Sequence, residues 1–152
     1  MLLVDDHPLL REGLAAVIQK EADLTVCGQA INATEALQAA ESLRPDVAVV
    51  DVSLDQSHGI DLAKDLRLRH PKLPVIMLSM HDELLYAESA LRAGAKGYVM
   101  KKEPPERLLH AIRKVLQGEL AFSDAVTRRM LQGLAGGQIE RTTLPLDRLS
   151  DR

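Results

Sequence analysis

Short apolar runs alternate with amphipathic stretches over the first 118 residues of the chain. The runs lie at 2–4, 24–30, 47–50, 75–78 and 96–100 and are rich in Val, Leu and Ile, which is typical of strands buried on both faces. The stretches between them repeat apolar residues at helical spacing, in five stripes: Leu10/Leu14/Val17/Ile18, Ala36/Leu37/Ala40/Leu43, Leu62/Ala63/Leu66, Leu84/Ala87/Leu91 and Leu108/Ile112/Val115/Leu116. Five β-α repeats predict an α/β fold, a doubly wound parallel sheet covered by helices with right-handed crossovers.

The alternation ends after Gly118, where a different pattern begins. Ser123 is suited to cap a sixth helix. The apolar residues of that helix would be Val126, Met130, Leu131 and Leu134. Gly136-Gly137 should end it, and residues 138–152 have neither periodicity nor enough apolar residues for a core. We therefore expect one domain over 1–118, followed by a linker helix and tail over 119–152.

The composition favours an ordinary globular protein. Apolar residues make up 46% of the 152 residues and charged residues 27%. The single cysteine, Cys27, lies in an apolar stretch, so we expect a small buried core residue rather than a reactive thiol. The opening apolar run is only four residues long before two acids. It therefore predicts neither a signal peptide nor a membrane span, and a cytoplasmic protein is the expected class.

The charge is slightly negative and unevenly distributed. Residues 1–119 carry 14 Lys and Arg against 18 Asp and Glu, whereas residues 120–152 carry 5 against 4. Neither part has the basic excess that binding to nucleic-acid phosphates requires. We expect residues 1–152 to bind DNA poorly by themselves.

Chemically capable residues follow four of the predicted strands, at the point where each strand ends. Asp5-Asp6 follow the first run, Asp51 ends the third, Ser79 follows the fourth and Lys101 the fifth. The carboxyl ends of parallel strands meet at one edge of the sheet, where ligands bind. Converging carboxylates repel one another unless a cation joins them, and Mg²⁺ prefers such oxygen ligands. Asp51 is the best candidate nucleophile, because a carboxylate can accept a phosphoryl group.

These positions and their surroundings resemble the receiver domains of two-component response regulators, most closely the subfamily with a LuxR-type (NarL-like) helix-turn-helix output. The motifs that carry the resemblance are Leu3-Val4-Asp5-Asp6-His7-Pro8, Asp51-Val52-Ser53-Leu54, Gly59-Ile60, Met77-Leu78-Ser79 and Ala93-Gly94-Ala95-Lys96-Gly97-Tyr98-Val99-Met100-Lys101. The resemblance covers residues 1 to about 118. It implies a flavodoxin-like (βα)5 fold with strand order 2-1-3-4-5.

The resemblance also implies a role for each acidic position. Asp51 matches the residue that accepts a phosphoryl group from a phosphohistidine of a sensor histidine kinase. The implied cofactor is Mg²⁺ (or Mn²⁺), held by Asp5, Asp6, Asp51 and Ser53. Asp6 matches the direct ligand, Asp5 the acid acting through water, and Ser53 the residue whose backbone carbonyl completes the coordination.

Three further positions match residues that respond to the phosphoryl group. Ser79 and Lys101 would contact its oxygens, and Ser79 and Tyr98 match the two switch positions. Tyr98 is expected to turn inward as Ser79 moves, and the readout face is expected around the fourth helix, fifth strand and fifth helix. The chain would be a signalling switch that catalyses only its own phosphoryl transfer and dephosphorylation.

Some positions depart from the family pattern or have no assigned role. Residues 55–58 read Asp-Gln-Ser-His where relatives often have Pro-Gly-Met-Asp, which leaves the loop geometry after Asp51 and the phosphoryl lifetime open. His81 is interpreted as an exposed loop histidine, although it could influence an attacking water. His7 is typical of the subfamily and need not be a ligand.

The last residues, Leu149-Ser150-Asp151-Arg152, look like the opening of a LuxR-type DNA-binding domain. We interpret the chain as a regulator truncated before its helix-turn-helix domain, so that it contacts DNA only through that missing part. The expected partners are a sensor histidine kinase and a second copy of the chain in a homodimer, with no membrane contact.

Two alternatives remain open from the residues alone. A phosphatase of the haloacid dehalogenase type also uses a nucleophilic Asp, a Ser or Thr, a Lys and Mg²⁺. Its second acid lies two residues after the nucleophile, where this chain has Ser53. A non-phosphorylated pseudo-receiver that serves only protein contacts is the other alternative, and the complete set of acids, hydroxyl and lysine argues against it.

Overall fold

The predicted apolar runs form one parallel sheet in the computed structural model, which describes residues 1–54, 59–80 and 83–137. The strands are β1 (Leu2–Val4), β2 (Gly28–Ala30), β3 (Ala48–Asp51), β4 (Val75–Ser79) and β5 (Gly97–Met100). The described helices are α1 (Pro8–Gln19), α2 (Ala33–Leu43), α3 (Gly59–Arg69), α4 (Glu83–Arg92), α5 (Pro105–Leu116) and α6 (Asp124–Gly137).

The strand order is β2-β1-β3-β4-β5, which confirms the predicted flavodoxin-like fold. Every neighbouring pair is parallel, with Val4 opposite Val50, Asp51 opposite Leu78, and Ser79 opposite Met100. The strands β1, β3 and β4 have no exposed position, because helices cover both faces of a parallel sheet. The chain therefore leaves β1, β3, β4 and β5 at one common edge, which we call the carboxyl edge.

The second strand is much shorter than its apolar run, and this corrects one expectation. Only Gly28–Ala30 pair with β1, while residues 24–27 have no regular structure. Cys27 is exposed rather than buried, so its prediction as a core residue was wrong. Its Sγ and its backbone N–H both donate to the carbonyl of Met1, at 3.3 and 2.8 Å. The segment is held by these backbone hydrogen bonds and by Leu24, which is buried in the hydrophobic core.

Local signals explain where the helices around the carboxyl edge begin. Pro8 lies at the start of α1, where its missing N–H costs no hydrogen bond. Asn32 caps α2 by accepting from the N–H of Glu35 at 2.8 Å, and the Glu35 carboxylate accepts from the N–H of Ile31 at 3.1 Å. These caps fix the short connections that follow β1 and β2.

The first compact unit runs from Met1 to Phe122. It extends past 118 because Ala121 pairs with β5: its carbonyl accepts from the N–H of Tyr98 at 3.1 Å, and its N–H donates to Lys96 at 2.8 Å. The second unit begins at Ser123, whose Oγ accepts from the N–H of Val126 at 3.2 Å, as predicted for a helix cap. The expectations for 55–58, His81 and the tail 138–152 lie outside the described residues.

Candidate functional site

Three buried polar residues mark the carboxyl edge. Among the described residues, Asp5, Asp51 and Ser79 are the only polar or charged residues in the buried class. All three lie at or directly after the ends of β1, β3 and β4. Burying a polar group costs free energy unless the group is paired, and a fold that bears this cost often does so at a functional site. The place where the fold accepts this cost is therefore the place where the sequence predicted chemistry.

Lys101 brings a positive charge between two of these acids. Its Nζ lies 3.0 Å from Asp51 Oδ2 and 3.3 Å from Asp5 Oδ2. The three side chains are 3%, 0% and 4% exposed. The backbone sets this position, because the N–H of Lys101 donates to the carbonyl of Ser79 at 2.7 Å. The pairing of β4 with β5 thus places the Lys101 ammonium next to Asp51, at the end of β3.

The two carboxylate oxygens nearest the ammonium still have acceptor capacity. Asp5 Oδ2 and Asp51 Oδ2 are buried and accept no hydrogen bond, although both are within ion-pair distance of Lys101 Nζ. Their contacts with Lys101 are therefore charge pairs. Buried acceptors with unused lone pairs mark a place where a cation or a donor can bind.

The other oxygen of Asp51 is held by the turn that follows β3. Asp51 Oδ1 accepts from the Ser53 N–H at 3.1 Å and from Ser53 Oγ at 3.3 Å. An aspartate that hydrogen-bonds the backbone two residues ahead stabilises a tight turn. One oxygen of the carboxylate is therefore fixed, and the other faces Asp5 and Lys101.

His7 adds a nitrogen to the acidic cluster, a contact to which the sequence analysis gave no role. Its Nδ1 lies 2.9 Å from Asp5 Oδ1, 3.2 Å from Asp6 Oδ1 and 3.6 Å from Asp51 Oδ2. One ligand atom from each of these four residues lies within 4.8 Å of the others. The turn explains this placement, because the N–H of His7 donates to Asp5 Oδ1 at 2.8 Å.

Arg11 and Gly59 support the acids from neighbouring helices, and sequence reasoning missed the first of them. Arg11 Nη1 donates to the Asp5 carbonyl at 2.8 Å, and its Nε donates to the side chain of Gln29 at 2.8 Å. Gly59 lets α3 begin against β3, because a Cβ there would collide with the carbonyl oxygen of Asp51. The sequence signal for Arg11 was its position three residues after Pro8, one turn into α1.

Ser79 and Tyr98, the expected switch pair, are both completely buried at 0% exposure. Tyr98 lies in β5 opposite Met77 of β4. The expected inward turn of Tyr98 is therefore not needed to bury the ring, which already has no exposed surface.

Comparison with known proteins places this geometry in a family. A sequence model described as the response regulator receiver domain matches residues 1–113. The chain belongs to the response regulator receiver domain family. It is a signalling module, and this membership does not agree with the haloacid dehalogenase alternative.

Relatives of this receiver carry regulatory names. YxjL of Bacillus subtilis, described as an uncharacterized transcriptional regulatory protein, is 36% identical over 129 residues, which is 85% of this chain and 59% of that protein. The nitrate/nitrite response regulator protein NarL of Escherichia coli K12 is 35% identical over 127 residues, or 84% of this chain and 59% of that protein. The chain thus spans about three fifths of the length of these relatives.

A solved structure supports both fold and family. The crystal structure of a LuxR-family two-component response regulator from Aurantimonas sp. SI85-9A1 has a TM-score of 0.78 and 32% identity, over 91% of this chain and 96% of that one. Within the described residues of the receiver, no helix has the length and apolar character needed to traverse a bilayer.

Proposed function

We propose that Asp51 of this receiver accepts a phosphoryl group from a phosphohistidine of a sensor histidine kinase. The observation that carries the proposal is the completely buried Asp51 carboxylate, with Lys101 Nζ 3.0 Å from one oxygen and Ser53 fixing the other. A carboxylate held in one orientation beside a cation is prepared for nucleophilic attack on an electrophilic phosphorus.

The proposed reaction is a displacement at phosphorus. Asp51 Oδ2 forms the new O–P bond, and the N–P bond of the phosphohistidine breaks. The electron pair of that bond returns to the imidazole nitrogen, which then takes a proton. The Lys101 ammonium pairs with the negative charge on the transferred group. The Ser79 hydroxyl donates a hydrogen bond to a phosphoryl oxygen. Water later attacks the phosphorus, which releases inorganic phosphate and restores the carboxylate.

Asp5, Asp6, Asp51 and the backbone carbonyl of Ser53 are proposed to hold Mg²⁺ or Mn²⁺. The fit is supported by the two buried Oδ2 atoms that accept no hydrogen bond and by the four-residue cluster of ligand atoms. When bound, the metal neutralises charge on the transferring phosphoryl group and orients it. The half-exposed Asp6 is the natural entry point, since 38% of its side chain faces solvent.

An apolar surface beside the acids supports a protein as the phosphoryl donor. A cavity of about 340 Å³ lies between α1 and the start of α5, next to Lys101. Leu9 borders it and is 88% exposed, only three residues after Asp6. Leu9 is continuous with the apolar residues of α1 that line the cavity, and a contiguous apolar surface of this kind is typical of a protein-binding site. We assign this surface to the sensor kinase.

Phosphorylation is proposed to control an output domain that binds DNA and regulates transcription. The new group adds about −1.5 to −2 charges at Asp51, and Ser79 with Tyr98 passes the change to the face formed by α4, β5 and α5. We propose that the altered face changes the affinity with which two copies of the chain form a homodimer. The regulatory names of the relatives support this output. The response can shift partner binding only by its differential free energy between the two states.

Intact mass spectrometry tests the central assignment. The chain is incubated with acetyl phosphate and Mg²⁺, as wild type, Asp51→Asn and Asp65→Asn. Asp65 is an exposed aspartate of α3 and serves as the matched control. We expect a single phosphoryl adduct in the wild type and in Asp65→Asn, and none in Asp51→Asn. An adduct that persists in Asp51→Asn contradicts the assignment, and no adduct in the wild type favours the pseudo-receiver alternative.

A further inference from the structure

We infer that His7 is a nitrogen ligand that makes the acidic cluster prefer borderline transition metals, such as Co²⁺, Ni²⁺ and Zn²⁺, over Mg²⁺. The inference rests on the proposed function, because it concerns the same metal site. It goes further in naming a fourth side-chain donor and the class of metal that this donor selects.

The geometry places the His7 nitrogen among the oxygens of the site. Nδ1 is 2.9 Å from an oxygen of Asp5, 3.2 Å from one of Asp6 and 3.6 Å from one of Asp51. The four ligand atoms lie within 4.8 Å of one another, and ligands around one ion, each about 2.0–2.2 Å from it, fall within this span. An ion at the centre would replace the hydrogen bond between Nδ1 and Asp5.

An independent observation shows that this cluster has binding capacity left over. Asp51 Oδ2 and Asp5 Oδ2 are buried acceptors without a hydrogen bond, in side chains that are 0% and 4% exposed. The Asp51 atom is the one that His7 approaches. The histidine nitrogen thus lies 3.6 Å from an oxygen that is ion-paired with Lys101 at 3.0 Å and accepts no hydrogen bond.

The donor set then decides which metals bind best. Carboxylate and carbonyl oxygens suit Mg²⁺ and Mn²⁺, whereas an imidazole suits Zn²⁺, Ni²⁺ and Co²⁺. His7 would bind as the neutral ring, with its remaining proton on Nε2. Its side chain is 61% exposed, so water can reach this second nitrogen and accept that proton as a hydrogen bond. No strain in the turn is required.

The test compares two metals on the untagged full chain, since an added histidine tag would itself bind Co²⁺. Isothermal titration with MgCl2 and CoCl2 gives the ratio of the two affinities. We expect Co²⁺ to bind about tenfold or more tightly than Mg²⁺, and His7→Gln to reduce that ratio about tenfold. His110→Gln, which removes an exposed histidine of α5, should leave the ratio unchanged.

NMR of the wild type with Co²⁺ gives a readout that does not depend on any variant. Large contact shifts of the His7 ring protons are expected, because only an imidazole bound directly to the ion receives unpaired spin through bonds; the through-space shifts of any nearby ring do not count. An unchanged metal ratio in His7→Gln, or His7 ring protons without such shifts, overturns the inference. Asp6→Asn separates the two proposals: if it leaves Mg²⁺ affinity unchanged, the proposed metal site itself is wrong.

Discussion

Replacing Lys101 by methionine removes the one ammonium that lies between two buried carboxylates. Methionine keeps much of the length and apolar stem of lysine, so the substitution changes charge more than packing. In the wild type, Lys101 Nζ lies 3.0 Å from Asp51 and 3.3 Å from Asp5, and all three side chains are almost completely shielded from water. The variant therefore leaves the two carboxylates close together without the lysine charge, with the His7 ring 2.9 Å from Asp5 and 3.6 Å from Asp51.

The expected cost follows from that burial. Removing one partner of a buried ion pair reduces the free energy of unfolding by about 3–5 kcal/mol. For a chain of this size each kcal/mol corresponds to roughly 2–4 °C, so the Tm should fall by about 6–20 °C. Mg²⁺ should raise the free energy of unfolding more in the variant than in the wild type. A divalent ion bound to the same acids replaces the lost charge.

Urea unfolding followed by far-UV circular dichroism measures these effects, since the chain has no tryptophan for fluorescence. The comparison is made in EDTA and then at one fixed Mg²⁺ concentration for both proteins. At one hundred times the wild-type Kd, Mg²⁺ adds about 2.7 kcal/mol to the wild type, and it should add more to the variant, whose acids bind the ion more tightly. Lys102→Met is the matched control, because Lys102 is the exposed neighbour in the same turn. A loss below about 1 kcal/mol in Lys101→Met, or equal responses of both proteins to Mg²⁺, refutes the reasoning.

Other positions allow simpler tests. Gly59→Ala should reduce the free energy of unfolding by about 1–3 kcal/mol and slow phosphorylation, because the Cβ of the alanine meets the backbone of β3. Gly13 lies in open space within α1, so Gly13→Ala should instead raise the free energy of unfolding by about 0.5–1 kcal/mol in the same urea titration. Leu9→Ser should slow phosphoryl transfer from the kinase but not from acetyl phosphate, and equal slowing would exclude a docking role. A hydrogen bond from Arg113 lowers the pKa of Asp23 below the ordinary value of 3.8. The pairing of the two side chains therefore stabilises the fold fully above pH 3.8, and this contribution is lost as the pH falls through the lowered pKa. Arg113→Gln should therefore reduce the pH dependence of Tm in this acidic window, and an unchanged profile would contradict the pairing.

The sequence was sufficient to predict the positions that the backbone places by strand geometry. Asp5, Asp51, Ser79 and Lys101 each follow a buried run, and parallel pairing necessarily brings such residues to one edge. The order of the strands came from the family resemblance, since periodicity alone does not specify which strands are neighbours. Only the first of these predictions, the positions at the strand ends, is readable from the pattern repeated along the chain.

The errors and omissions concern irregular backbone. Cys27 was predicted to be buried because its stretch is apolar, but the edge strand β2 is only three residues long and the preceding segment lies at the sheet border. The contacts of His7 and Arg11 depend on the turn between β1 and α1, which no periodic pattern encodes.

The pairing of Ala121 with β5 has a consequence for aggregation. An outer strand with unpaired N–H and C=O groups is a template on which other chains can add strands. Here the outer side of β5 is occupied where the Ala121 carbonyl accepts from Tyr98 and the Ala121 N–H donates to Lys96. A chain shortened to residue 118 would keep all five strands and every proposed site residue, yet it would expose that border of the sheet. We therefore expect residues 119–122 to limit edge-to-edge association between copies, at the end of β5 opposite to Lys101.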